Sequence, residues 1–133
     1  MTSNNASSGA SAAERIEAVR SRMNAAAIDA GRRPQDVVLV AVSKTFDVPD
    51  IVPFIDAGIR VFGENRVQEA ASKWPELKER QSDVELHLIG PLQSNKVGDA
   101  VGLFDVLQTL DRVKLAEALT RARDKGARLP RLF

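Results

Sequence analysis

The chain has 133 residues, 44% of them hydrophobic and 28% charged, which suffices for one folded domain with its own core. Its formal net charge of +1 gives no reason to expect nucleic acid or an acidic membrane surface as a partner. It has no cysteine and one histidine, which excludes disulfides, thiolate chemistry and multi-histidine metal centres. No apolar run approaches the roughly 20 residues of a membrane span, so we expect a cytoplasmic protein.

The first predicted elements are a tail, a helix and a strand. Residues 1–11 are rich in Ser, Asn, Ala and Gly and predict a disordered tail, whereas residues 12–133 predict one domain. A helix begins near residue 12 and ends at Gly31 and Pro34. Residues 37–42 are all apolar and mostly β-branched, which predicts a strand covered on both faces. The apolar stripe of the helix is Ile16, Val19, Met23, Ala26 and Ala30.

Helices and strands then alternate with short connections. We predict strands over 59–62, 84–89 and 104–107, and the start of a fifth within 129–133. We predict a helix over 50–57 with Asp50 as N-cap, and a second helix that starts after an Asn65 cap and breaks at Pro75. Two further helices are predicted, one over 93–101 and one that starts at an Asp111 cap and ends at Gly126. The helix that follows Asn65 is expected to bury Val67, Ala70, Ala71 and Trp74.

This alternation predicts a parallel sheet joined by right-handed crossovers. An open doubly wound sheet and part of a (β/α)8 TIM-type barrel both fit that order. No Gly-x-Gly-x-x-Gly follows the first strand, so a dinucleotide-binding fold is unsupported. Since a whole barrel needs about 250 residues, we expect the first four βα units of a barrel, truncated at the start of the fifth strand.

Lys44 is the most informative residue, because it directly follows the first predicted strand. The carboxyl ends of parallel strands are where α/β folds gather reactive groups. Partial desolvation there can free an amine to attack a carbonyl. Taken alone, a lysine at a strand end is more often a solvated surface residue.

Polar side chains also follow the other predicted strands. A lysine amine with amide and imidazole neighbours suits an aldehyde ligand held as a Schiff base. These residues are Glu64 and Asn65, then His87, Gly90, Gln93, Asn95 and Lys96, then Thr109 and Asp111. Each has a structural interpretation as well: a helix cap, a satisfied core histidine or an exposed helix start.

Two other patterns carry less weight. A Ser43–His87–Asp triad has no Gly-x-Ser-x-Gly turn to support it. The basic residues near the end fit a solvated helix terminus better than a phosphate-binding patch. They are Arg121, Arg123, Lys125, Arg128 and Arg131.

Three segments together identify a family resemblance. They are LVAVSKT at 39–45, FGENRVQE at 62–69 and HLIGPLQSNK at 87–96. In this order and at these intervals they resemble the pyridoxal phosphate homeostasis proteins, relatives of the alanine racemase barrel domain. The resemblance runs from about residue 12 to residue 133 and is looser over 104–112.

The resemblance implies that Lys44 holds pyridoxal 5′-phosphate (PLP) as a Schiff base. It also implies a role in intracellular vitamin B6 homeostasis and amino-acid balance, without an established reaction, and apo PLP-dependent enzymes as partners. By analogy Asn65 flanks the cofactor ring, while His87 and the loop carrying Gly90, Gln93, Asn95 and Lys96 line the pocket mouth. A racemase-like enzyme and a half-barrel that no longer binds the cofactor are the alternatives.

Two departures from the family matter. Some relatives have a second lysine two positions after the Schiff-base lysine, where this chain has Phe46. The family's phosphate-binding residues come from late strands, and this chain ends before them. We therefore expect residues 1–133 alone to bind the cofactor poorly, unless two copies pair.

A racemase of the related fold commonly uses a tyrosine as its second base, and the chain has no tyrosine.

Overall fold

Five parallel strands lie in one sheet in the same order as in the chain, in a computed structural model that describes residues 10–133. They are β1 Ala41–Val42, β2 Val61–Glu64, β3 Glu85–Leu88, β4 Val106–Leu107 and β5 Arg131–Leu132. The predicted α/β class, the parallel sheet and the fifth strand are confirmed. A doubly wound sheet reverses its strand order at a switch point, and these five strands do not.

Within residues 10–133, five α-helices connect or precede these strands: α1 Ala12–Asp29, α2 Val48–Asp56, α3 Val67–Arg80, α4 Val97–Leu103 and α5 Val113–Asp124. Short 3₁₀ turns occupy Pro34–Asp36 and Ser94–Lys96. Right-handed crossovers between neighbouring strands place successive helices on the same face of a sheet. None of the described helices is long and apolar enough to cross a membrane.

The core lies between the sheet and these helices. Phe62 of β2 packs on Trp74 of α3, with ring centroids 5.0 Å apart. Leu86 and Leu88 of β3 and Leu107 of β4 are buried in the same cluster. Since side chains alternate along a strand, the residues between them point to the opposite face of the sheet.

Helix α1 begins where the sequence predicts. Ser11 Oγ accepts the backbone N–H of Glu14 and the Glu14 carboxylate accepts that of Ser11, a capping box. Hydrogen bonds from the Ser11 backbone and side chain hold the pKa of Glu14 below its usual value. Most of the predicted tail, residues 1–9, lies outside the described residues. The predicted stripe is not buried: Ile16 and Met23 are half-buried and Val19 is 46% exposed, whereas the buried residue of this helix is Ala27, outside the stripe.

Strand β1 differs from its prediction. Only Ala41–Val42 pair, and Val38 and Val42 are 64% and 48% exposed. Within the described sheet β1 pairs with β2 alone, so it is an edge strand. Its exposed valines show that its side chains are not covered on both faces of the sheet. The prediction of a strand buried on both faces was wrong for these residues.

Two helices run through prolines that were expected to begin or break them. Helix α2 starts at Val48 after an Asp47 N-cap, rather than after Asp50, and so has Pro53 inside it. Helix α3 continues past Pro75. In both cases buried residues flank the proline, Ile51 and Ile55 in α2 and Trp74 and Leu77 in α3. Their packing outweighs the lost backbone hydrogen bond.

The cap residues and one face of α3 also need correction. The N-caps of α3 and α5 are Arg66 and Arg112, one residue beyond the predicted Asn65 and Asp111. On α3, Lys73 is buried while Ala71 is exposed. The buried stripe of α3 therefore includes Lys73 and not Ala71, which the sequence analysis predicted to be buried.

Gly90 allows two loops at the carboxyl edge of the sheet to touch. A Cβ at Gly90 would lie 2.5 Å from the backbone oxygen of Asn65, closer than real Cβ contacts come. The loop after β3 can thus rest against the loop after β2 only because residue 90 has no side chain. A Cβ at Gly98 in α4, by contrast, would meet nothing within 4 Å.

We therefore expect Gly90→Ala to lower the free energy of unfolding by about 1–3 kcal/mol, because one backbone segment must move. The matched control is Gly98→Ala, which we expect to raise it by up to about 1 kcal/mol, since alanine favours helix. Urea titrations of the chain measure both. Equal effects of the two substitutions would contradict the proposed loop contact.

Candidate functional site

The candidate site lies at the carboxyl edge of the sheet. Backbone hydrogen bonds from Ser43 to Gly63, from Ile89 to Glu64 and from Gln108 to Leu88, each 2.9 Å long, bring the strand ends to one level. The residues that follow these strands therefore meet at this edge, as the sequence predicts for parallel strands.

Lys44 is exposed at this edge, directly after the buried Ser43. No hydrogen bond or ion pair joins its amine to another residue of the part that the structure describes. The next residue, Thr45, has a φ of 67°, in the left-handed region that β-branched residues rarely adopt. The chain thus turns sharply at Lys44 and leaves its amine accessible.

Four of the other predicted residues lie together beside the Gly90 contact. Asn65, Gln93 and Lys96 line a cleft of about 540 Å³ between the loops after β2 and β3. Gly90 forms the contact between those loops. The lining of this cleft includes the cations of Arg66 and Lys96 and no carboxylate. Asn95 is exposed and does not line the cleft.

His87 lies apart from this cleft, on the face of the sheet opposite Leu86 and Leu88. It is 7% exposed. Its Nε2 lies 2.8 Å from Glu85 Oε1, and its Nδ1 lies 2.7 Å from the Gln108 side-chain nitrogen. Because the Gln108 amide donates to Nδ1, Nε2 carries the proton toward Glu85. Both ring nitrogens are therefore satisfied by neighbouring side chains.

A buried polar network lies directly beneath the segment that carries Lys44. Glu64 is fully buried, and its Oε2 accepts from Ser43 Oγ at 2.5 Å and from Trp74 Nε1 at 3.0 Å. Lys73 Nζ lies 2.8 Å from the same oxygen. Glu64 Oε1 is buried without a hydrogen-bond partner among the described residues.

Lys73 also holds the backbone of that segment. Its Nζ donates to the carbonyl oxygens of Ser43 at 3.0 Å and Phe46 at 2.9 Å. Glu69 Oε2 accepts from the same amine at 3.1 Å and from the Thr45 N–H at 2.5 Å. Burial raises the pKa of Glu69, but the hydrogen bonds from Thr45 and Lys73 outweigh it, so the pKa lies below its usual value.

Sequence reasoning missed Lys73, although a signal was present. Lys73 is three residues after Ala70 and four before Leu77, which is the spacing of a buried helical stripe. A lysine at such a position needs acceptors for its charge. Glu69, one turn earlier, is one of them.

The edge as a whole combines three features. Lys44 supplies an accessible amine, the cleft supplies amide donors and two cations, and a buried network fixes the backbone between Ser43 and Phe46. Amides and cations suit a ligand with an anionic group, and a free amine suits one with a carbonyl group.

Comparison with known proteins finds several pyridoxal phosphate homeostasis proteins similar to the chain. No protein-family model matches the chain. It is 43% identical over 121 residues to the pyridoxal phosphate homeostasis protein of Escherichia coli (strain K12), covering 90% of this chain and 51% of that protein. It is 42% identical over 116 residues to the protein of that name from Pseudomonas aeruginosa, covering 86% and 49%. The chain thus spans about half the length of the curated relatives it matches.

Solved structures agree with this. PipY of Synechococcus elongatus PCC7942, with PLP bound, is 41% identical with a TM-score of 0.77, covering 91% of this chain and 52% of that one. A protein from Bifidobacterium adolescentis is 36% identical with a TM-score of 0.80, covering 86% and 51%. Over about half the length of each relative, the chain resembles the pyridoxal phosphate homeostasis proteins in sequence and PipY in fold, which confirms the resemblance predicted from its three motifs.

Proposed function

We propose that the chain is part of a cytoplasmic protein that holds PLP on Lys44 and takes part in vitamin B6 homeostasis and amino-acid balance. The observation that carries the proposal is the accessible Lys44 amine at the carboxyl edge of the sheet, within the Ser-Lys-Thr motif. The names of its relatives and the PLP bound in PipY support it.

We also propose that the sheet is part of a (β/α)8 barrel. Parallel strands in sequential order are the arrangement from which such barrels are built. Crossovers of the usual right hand would put the helices on one face of the sheet, and the other face would point into the barrel. The half-length match to the relatives is consistent with this proposal.

The donor set fits the proposed cofactor. PLP supplies an aldehyde that electrophilically captures amines, together with an anionic phosphate. Lys44 would hold the aldehyde carbon of bound PLP through its side-chain nitrogen, with release of water. In this proposal Asn65, Gln93 and Lys96 donate hydrogen bonds to ligand oxygens across the cleft, and Gly90 keeps the two loops together.

His87 and Asn95 have lesser roles in the proposal. His87 contacts Glu85 and Gln108 on the face of the sheet opposite Leu86 and Leu88, so in the proposed barrel it would face the interior below the cofactor. Asn95 would meet the ligand only through movement of its exposed loop. The protein would carry the cofactor and deliver it to apo-enzymes, without catalysing a reaction of its own.

Lys44→Ala tests the attachment. Because residues 1–133 alone are expected to bind weakly, PLP is added in large excess; the wild-type chain should then gain a visible absorbance band, and borohydride should fix the ligand on the peptide that contains Lys44. We expect the variant to lose the band, because the Lys73 amine is buried among four oxygens and the Lys96 amine is assigned to an anionic group of the ligand. Lys114→Ala, which removes an exposed amine on α5, is the control and should leave the band unchanged. A band that survives in Lys44→Ala would contradict the proposal.

Lys96→Ala tests the cleft. Removing one charged donor from a ligand anion should weaken PLP binding about tenfold, since such a hydrogen bond contributes about 1.5 kcal/mol. The measurement is the PLP concentration that half-saturates the absorbance band, compared with Lys114→Ala. Unchanged half-saturation would remove the cleft from the site while leaving Lys44 in it.

Incubation with single-enantiomer amino acids separates a carrier from a racemase-like enzyme. We expect the visible band to shift as the amino acid displaces Lys44, with no accumulation of the other enantiomer on chiral chromatography. Progressive loss of optical purity, absent in Lys44→Ala, would favour the enzyme.

A further inference from the structure

Lys73 makes an unusual set of contacts for a buried lysine. Its side chain is 6% exposed, and four oxygens surround its amine within 3.1 Å. Two of them are the carboxylates of Glu64 and Glu69, and two are backbone carbonyls. Since three ammonium hydrogens serve four acceptors, the amine is fully engaged and has no proton left for a ligand.

The two carbonyls belong to Ser43 and Phe46, which flank Lys44 and Thr45. A second bond joins these ends, because Phe46 N–H donates to the Ser43 carbonyl at 3.2 Å. Thr45, held in a left-handed conformation, donates its N–H to Glu69. Three backbone groups of this turn, the carbonyls of Ser43 and Phe46 and the N–H of Thr45, are therefore bonded to Lys73 or to its partner Glu69.

Such a conformation at a β-branched residue is costly and persists only when its surroundings enforce it. The group that enforces this conformation is the ammonium of Lys73, which is itself held in place by Glu64. That carboxylate is held in turn by Ser43 Oγ and Trp74 Nε1. The network thus connects the hydrophobic core to the backbone on both sides of Lys44.

We propose that Lys73 is a positioning residue that fixes the turn from Ser43 to Phe46 and so sets where Lys44 presents its amine to an aldehyde ligand. Lys73 itself touches no ligand. The inference rests on the proposed function for its consequence at Lys44, but the fixing of the turn stands on the contacts of this structure alone.

The test compares Lys73→Met with Lys78→Met in the full chain. Lys78 is a matched control, because it lies on the same helix and also joins a carbonyl, that of Leu103 at 3.0 Å, to a carboxylate, that of Asp105 at 2.8 Å. Its contacts lie near the opposite ends of the strands, far from Lys44. Both substitutions remove one cation and keep an unbranched side chain.

The first readout is backbone hydrogen exchange of the peptide spanning residues 43–46, measured by mass spectrometry without PLP. We expect Lys73→Met to speed exchange in this peptide about tenfold, the effect of losing one charged hydrogen bond. Lys78→Met should leave it unchanged. If this peptide exchanged at the wild-type rate in Lys73→Met, the proposal would be overturned.

The second readout is the rate at which PLP and borohydride label Lys44, relative to labelling of Lys114. We expect this ratio to fall about tenfold in Lys73→Met, because the amine no longer occupies one position, and to stay unchanged in Lys78→Met. An unchanged ratio in Lys73→Met would overturn the role toward Lys44. Failure of wild-type Lys44 to be labelled would instead refute the proposed function, while hydrogen exchange still decides whether Lys73 fixes the turn.

Glu69→Gln keeps the test decisive if circular dichroism shows that Lys73→Met does not fold. This residue is partly exposed, and the substitution keeps its shape while weakening its bonds to Thr45 and Lys73. We expect faster exchange in the same peptide and a lower labelling ratio for Lys44. Wild-type values of both would overturn the proposal.

Discussion

The buried ion pair between Lys73 and Glu64 is the interaction on which the candidate site depends. It joins α3 to the end of β2, with side chains 6% and 0% exposed, and Ser43 after β1 is hydrogen-bonded to both partners. Removing one partner of such a pair typically costs about 3–5 kcal/mol, because the other charge stays buried. Replacing both with apolar residues is often neutral. The pair is thus better explained by what it holds in place, the turn from Ser43 to Phe46, than by net stability.

The turn after β1 and the loops after β2 and β3 have different roles at this edge of the sheet. The turn after β1 presents an accessible amine, while the loops after β2 and β3 form the cleft with its amides and cations. Gly90 determines how closely those two loops approach. Their arrangement follows from parallel pairing, which places successive strand ends at one level, so the site is a property of the fold as much as of the individual residues.

Much of the fold could be predicted from the sequence, because the alternation of apolar strands and amphipathic helices is a local signal. The short β1 and the unbroken α3 could not, since neighbouring elements decide how far a strand pairs and whether Pro75 ends a helix. At the site, the motifs identified Lys44 and the cleft residues. They did not identify Lys73, whose role depends on carbonyls 27 and 30 residues earlier in the chain.

The most direct test of this account is a crystal structure of the chain grown with PLP. The account predicts density that continues from the Lys44 side chain into the ligand, with the amine of Lys73 still bonded to the carbonyls of Ser43 and Phe46. Ligand density elsewhere, next to an unmodified Lys44, would contradict it.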